Sequence, residues 1–180
     1  MGANAHLEAE PDSAVWLVGD STLHPYTSRT THFKASGTLD SPSLDAILQQ
    51  SALKTFDVVI PVTSLKSKEA ALDKNMYKAV NAESCPDISF HLSSYAVSKD
   101  TAITEGYRAQ VNGTLTIACQ ERPVMLETGL ASGLGALRAQ GHYALLMTDY
   151  GVKPPTMMLG TIRTKNSVVI HFDLRLKPSI

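Results

Sequence analysis

The chain is short of charge and of anything that would gather it. Only 18% of its 180 residues are Asp, Glu, Lys or Arg, and sixteen basic residues against seventeen acidic leave a formal net charge of -1. Neither sign collects into a block able to neutralise a run of phosphates, so nucleic acid is excluded as an expected partner. No stretch approaches the 18 or so consecutive apolar residues of a membrane-spanning helix, and Met1 to Glu10 lacks the apolar centre of a signal peptide. His6 stands where a myristoylation motif after Gly2 needs Ser or Thr, so no lipid anchor is expected. The expected location is the periplasm or the exterior if a signal peptide has been removed, and the cytoplasm otherwise.

Motifs for nucleophilic or phosphate chemistry are equally scarce. Ser132, within Gly129 to Gly133, misses the G-x-S-x-G spacing, and no strand-to-helix elbow follows it. Gly133-Leu134-Gly135 lacks a third glycine and reads as a hairpin turn rather than a phosphate cradle. Asn112-Gly113 sits inside an apolar alternation and reads as a kink or bulge in one continuous strand, although the pair also suits a hairpin.

What the chain does have is 43% apolar residues, a globular share, and a length at which about 70% of its surface can leave water. That is enough for one core without disulfide or metal staples. Most of it alternates with period two between turn residues, which predicts eight strands near Val15 to Leu23, Tyr26 to Leu39, Thr55 to Ser64, Asp87 to Val97, Tyr107 to Ala118, Arg122 to Leu130, Ala136 to Met147 and Ser167 to Lys177. One helix is predicted over Lys68 to Asn81 with Ser67 as its N-cap, and a weaker helical turn over Leu44 to Gln50 behind Ser43. The domain reading is a flexible segment over 1–12 and a single β-barrel domain over 13–180.

Strand parity separates two faces. Phe33, Val58, Ile60, Phe90, Leu92, Leu115, Tyr143, Leu145, Met147, Ile170 and Phe172 share one face with no charged residue among them. His32, His91, Arg138, His142, His171 and Asp173 fall on the other. An all-β fold follows, an antiparallel barrel or sandwich, and eight strands is the number at which a closed barrel just holds a small ligand or fills with side chains.

At this point the chain resembles a known family. The residues are Ser21-Thr22-Leu23-His24 with Tyr26-Thr27 and Phe33-x-x-Ser36-Gly37, Ile60-Pro61-Val62-x-Ser64-Leu65-Lys66-Ser67, and Asp73-Lys74-Asn75-Met76-Tyr77-Lys78-Ala79. Pro86-x-Ile88-x-Phe90, Gly113-Thr114-Leu115-Thr116-Ile117 with Arg122-Pro123-Val124, and Met147-Thr148-Asp149-Tyr150-Gly151-x-x-Pro154-Pro155-x-Met157 follow in order. In that order and spacing the sequence resembles the YceI-like family over nearly its whole length. The resemblance implies an eight-stranded antiparallel lipocalin-like barrel with one helical cap between strands three and four. It also implies an apolar tunnel that takes long isoprenoid chains, polyprenyl or quinone type, in bacterial proteins often exported to the periplasm. The chain departs from the family at Cys85, where an aromatic is common, at Cys119, where a glycine is common, and at Arg29, near the place of a histidine.

The candidate tunnel or mouth residues are Phe33, His24, Met76, Tyr77, Phe90, Leu92, Leu115, Tyr143, Leu145, Met147, Tyr150, Met157 and Phe172. His24 either meets a ligand headgroup at a barrel end or holds a turn by a hydrogen bond. Met157 and its neighbours suit either an adaptable apolar surface or gap-filling under a loop. His171 and Asp173 share a face but have no third ligand, so neither a metal nor a cofactor is expected. The favoured function is non-enzymatic storage or transport of a long-chain apolar lipid, and the reading admits a homodimer. The alternatives are a lipid-modifying enzyme with His24 at the mouth and a solid-core β interaction module. Finally, pairing Phe90 with Leu115 places Cys119 opposite Pro86 and gives the two cysteines opposite parities, which predicts free thiols.

Overall fold

The period-two alternation becomes eleven strands in the computed structural model, which describes residues 4–102 and 106–180. They are β1 (Ala5–Ala9), β2 (Ala14–Ser21), β3 (Tyr26–Thr30), β4 (Lys34–Leu39), β5 (Leu53–Pro61), β6 (Asp87–Asp100), β7 (Gly106–Ile117), β8 (Gln120–Gly133), β9 (Ala136–Leu146), β10 (Thr156–Met157) and β11 (Ile162–Ser179). Every pairing is antiparallel, and β1 closes the sheet by bonding to both β4 and β11. β1 and β2 lie end to end along β11, Ala9 opposite Leu176 and Ala14 opposite Asp173. β3 and β4 lie end to end beside them. The barrel therefore has eight staves, two of them broken.

The break in the first stave corrects one expectation. The segment 1–12 is not loose throughout: Ala5, Leu7 and Ala9 alternate with His6 and Glu8, and Ala5 and Leu7 are 2% and 1% exposed. The Glu-Pro-Asp-Ser run at residues 10–13 hides this alternation, yet it inserts two extra residues against β11, so odd positions such as Leu7 and Val15 face inward on both sides of the break. The Glu10 amide donates to the Arg175 carbonyl at 2.7 Å, and the buried Ser13 hydroxyl accepts from the Arg175 amide at 2.9 Å.

Helix α1 (Leu44–Leu48) starts behind Ser43, whose hydroxyl accepts from the Ala46 amide at 3.3 Å. Helix α2 (Ala70–Ala79) begins three residues after Ser67, with Glu69 in the N-cap position. Ser67 shapes the approach instead: its hydroxyl accepts from the Glu69 amide at 3.1 Å while its own amide donates to buried Asp73 at 2.8 Å. The strand through Asn112-Gly113 is continuous, and the bulge predicted there lies in the partner strand, between Leu92 and Ser94.

Cys85 and Cys119 form a disulfide, their Cα atoms 5.6 Å apart, contrary to the free thiols expected. The predicted register is present, Phe90 opposite Leu115, but β7 ends at Ile117. Ala118 and Cys119 form a two-residue hairpin turn with φ of 51° and 61°, a mirror-image turn that suits the strand twist. Left-handed backbone redirects the Cys119 side chain, and Cys85 precedes β6, so strand parity governs neither sulfur. The bond ties the segment after α2 to the β7–β8 turn.

Candidate functional site

Inside the barrel the apolar face encloses two adjoining cavities. The first, about 160 Å³, is bordered by Phe90, Leu92, Leu115, Tyr143 and Phe172 together with Leu7, Ile47, Phe56 and Tyr95. The second, about 70 Å³, lies under α2 and is bordered by Leu72, Met76, Leu145, Met147 and Tyr150. Ile88 and Ile170 border both and so stand between them. Among the described residues no charged side chain borders either cavity. A cavity near 150 Å³ accepts a six-carbon ring, so a longer chain fits only as Ile88, Ile170 and the flexible Met76 and Met147 shift.

Three aromatic rings owe their positions to glycines. A Cβ built on Gly113 would stand 2.5 Å from the Phe90 ring, and one on Gly141 would stand 2.6 Å from Phe172 Cζ. Tyr26 lies against Gly19 in the same way. Each ring crosses backbone that carries no side chain, a use of strand glycine that lets an aromatic lie along the wall.

The remaining candidates lie elsewhere. Tyr77 borders neither cavity; its hydroxyl donates to the Leu65 carbonyl at 2.5 Å and fastens α2 to the preceding loop. His24 is exposed, with Nδ1 2.8 Å from the Pro25 carbonyl and Nε2 3.1 Å from Glu69, so it holds the β2–β3 turn near the start of α2. Phe33 is half-buried against the core, and Met157 is half-buried in β10. Among the outward histidines, His171 stacks on Trp16 with ring centres 5.3 Å apart.

Parity missed Tyr95 because the bulge after Leu92 shifts the inward set from even to odd positions; the apolar residues at Tyr95 and Val97 carry that signal in the sequence. Ile47 was missed because a short helix placed by tertiary contact cannot be located by strand periodicity.

On one side the barrel wall is open. The β8–β9 ladder runs from Gly133–Ala136 to Thr128–Gly141 and stops, leaving residues 120–127 and 142–146 unpaired with each other. A cleft of about 520 Å³ occupies this gap, bordered by Arg122, Pro123, Tyr143, Leu145, Asp149 and Tyr150 among others. Tyr143 also borders the first cavity, and Leu145 and Tyr150 the second. Tyr150 is 2% exposed, and burial, reinforced by Tyr143, pushes its hydroxyl up to about 12, with nearby Arg122 acting in the opposite sense. That hydroxyl bonds to no described residue. Only Ser28 Oγ is both unpaired and fully enclosed among the described residues, so the Tyr150 oxygen is not fully enclosed.

Among curated proteins none matches the chain. Solved structures share its fold. A crystal structure of Burkholderia cenocepacia BcnA is 17% identical with a TM-score of 0.69, covering 93% of this chain and 98% of that one. A polyisoprenoid-binding domain from Saccharophagus degradans, implicated in plant cell wall breakdown, is 13% identical with a TM-score of 0.69 over 97% and 99%. The Campylobacter jejuni YCEI protein is 17% identical with a TM-score of 0.59 over 82% of each chain. The sequence profile of the YceI-like domain matches residues 12–176, and on that match the protein belongs to the YceI-like family.

Proposed function

We propose that the barrel binds a long-chain apolar lipid of isoprenoid or quinone type in its interior, as a store or carrier. The observation that carries this is the uncharged lining of two adjoining cavities. Family membership supports it, as does the polyisoprenoid-binding domain that shares the fold. Each CH₂ removed from water contributes about 0.8 kcal/mol, so one five-carbon unit supplies about 4 kcal/mol and affinity rises with the length enclosed. Phe90, Leu92, Leu115, Tyr143, Phe172, Met76, Leu145, Met147 and Tyr150 are the proposed contacts. The Cys85–Cys119 disulfide supports an oxidising compartment, periplasmic or external, because cytosolic thiols are kept reduced.

The test is titration of a prenyl alcohol against the wild type and against Leu145→Asp and Phe172→Asp. A carboxylate in the apolar interior costs several kcal/mol or is forced neutral, and binding is expected to vanish. A folded Asp variant with wild-type affinity contradicts the reading.

A further inference from the structure

We propose that the cleft between the unpaired halves of β8 and β9 is the ligand's way into the barrel and the seat of its oxygen-bearing head, with Tyr150 and Arg122 as hydrogen-bond donors. This deepens the proposed function and rests on the interior holding an apolar chain.

The opening is built into the sequence. Continuing the paired register places Pro123 opposite Leu146, and proline has no amide hydrogen for a ladder bond. The other partly unpaired wall is covered. The β5–β6 ladder ends at Asp57–His91, and beyond it Tyr95 donates to the Ile47 carbonyl at 3.0 Å while Gln50 Oε1 accepts from the Val97 amide at 2.6 Å. α1 thus covers that gap, whereas no hydrogen bond crosses the β8–β9 gap among the described residues.

The cleft also adjoins both cavities, with Tyr143 standing between it and the first and Leu145 and Tyr150 between it and the second. A chain lying in both cavities therefore reaches the cleft once these side chains turn aside. The polar groups there are suited to an acceptor. The Tyr150 hydroxyl bonds to no described residue and, raised by burial from its ordinary value to about 12, keeps its proton at neutral pH. Arg122 uses one nitrogen on the Glu121 carbonyl at 2.7 Å, and a guanidinium has five N–H groups. Asp149 borders the same space and offsets part of the cation's charge, which disfavours a pyrophosphate relative to a single phosphate. The shared chemistry is a head presenting acceptor oxygens, either a quinone-type carbonyl or a single phosphate.

The experiment uses the intact protein and three probes displacing a fluorescent apolar dye: a prenylated benzoquinone, a prenyl phosphate of equal chain length, and squalene, which has no head. Tyr150→Phe keeps the ring and removes one hydrogen bond. Headed probes are expected to lose about five- to tenfold in affinity with squalene unchanged. Arg122→Gln separates the sources, weakening the phosphate far more than the quinone if phosphate is the natural head and weakening both alike if a carbonyl is. Loss of squalene in step with the headed probes, or loss of none, overturns the seat. Entry is read by attaching a bulky maleimide to Ala144→Cys in the cleft and, as a control, to Lys34→Cys on β4; the native cysteines are already bonded to each other. Ligand uptake at least fivefold slower for the first label alone is expected, and equal rates overturn the route. A wild-type barrel that takes none of the three probes overturns the underlying lipid reading itself.

Discussion

Replacing Cys85 and Cys119 together by alanine removes the one covalent crosslink in the fold and leaves the hairpin and the cap to hold themselves. The bridge closes a segment of 34 residues in sequence. Loop-closure entropy for that separation is about 12.6 cal/mol/K, or about 3.8 kcal/mol at 25 °C. Cys85 is 7% exposed, so its alanine also gives up some packing, while the exposed Cys119 loses little. At this chain length 1 kcal/mol moves the melting midpoint by about 2–4 °C, so the double variant should melt about 8–15 °C lower. Thermal unfolding of wild type and variant without reductant, and of wild type with reductant, provides the assay. The reduced wild type should follow the variant, and thiol titration of the denatured, unreduced wild type should find no free thiol. Coincident midpoints for all three samples would refute the reasoning, because the crosslink would then not constrain the unfolded chain.

Three further outcomes are expected. Arg138 donates to both carboxylate oxygens of Asp173, at 3.1 and 2.9 Å, and these bonds hold the Asp173 carboxyl below its ordinary range. A lowered carboxyl contributes stability above the unfolded value near ~3.9 and loses it as pH falls through the folded one, so Asp173→Asn should flatten the acid limb of a melting-versus-pH curve by under about 1 kcal/mol. An unchanged acid limb contradicts that assignment. Ser28→Ala removes an enclosed hydroxyl with no partner and should raise stability by about 1 kcal/mol in chemical unfolding, a fall showing that the hydroxyl is satisfied in solution. Gly141→Ala drives a methyl to within 2.6 Å of the Glu127 carbonyl and of Phe172 Cζ, so it should cost about 1–3 kcal/mol and weaken ligand binding; a neutral result means that the ring moves freely.

Where side chains alternate against a continuous ladder, the sequence alone is a sound guide. Phe90, Leu92, Leu115, Tyr143 and Phe172 face one cavity, as their parity implies, because a closed barrel with one dry face leaves no other place for them. Parity fails wherever an extra residue or a turn enters. The bulge after Leu92 turns Tyr95 inward, the left-handed turn at Ala118 and Cys119 makes the disulfide, and the break at Pro11 disguises Ala5 to Ala9 as a loose end. The helical cap shows in the spacing of Ala70, Ala71, Met76, Tyr77 and Val80, but its exact start depends on Asp73 reaching back to the Ser67 amide, a contact between neighbouring turns that no periodicity encodes. His24 and Tyr77 look alike in sequence as candidates at the mouth. Only three-dimensional contacts show both of them spent on holding loops. The open seam at β8 and β9 has a single trace in the sequence, Pro123, and a proline alone does not say which neighbour is missing.

Whether the uncharged interior holds a long apolar chain is read by native mass spectrometry of the freshly purified protein. The wild type should carry an added mass that extracts into organic solvent as a long-chain lipid, and folded Leu145→Asp and Phe172→Asp should appear at the bare chain mass. A wild type that stays at its bare mass even after incubation with prenyl alcohols, or an Asp variant that keeps the same adduct, contradicts the claim.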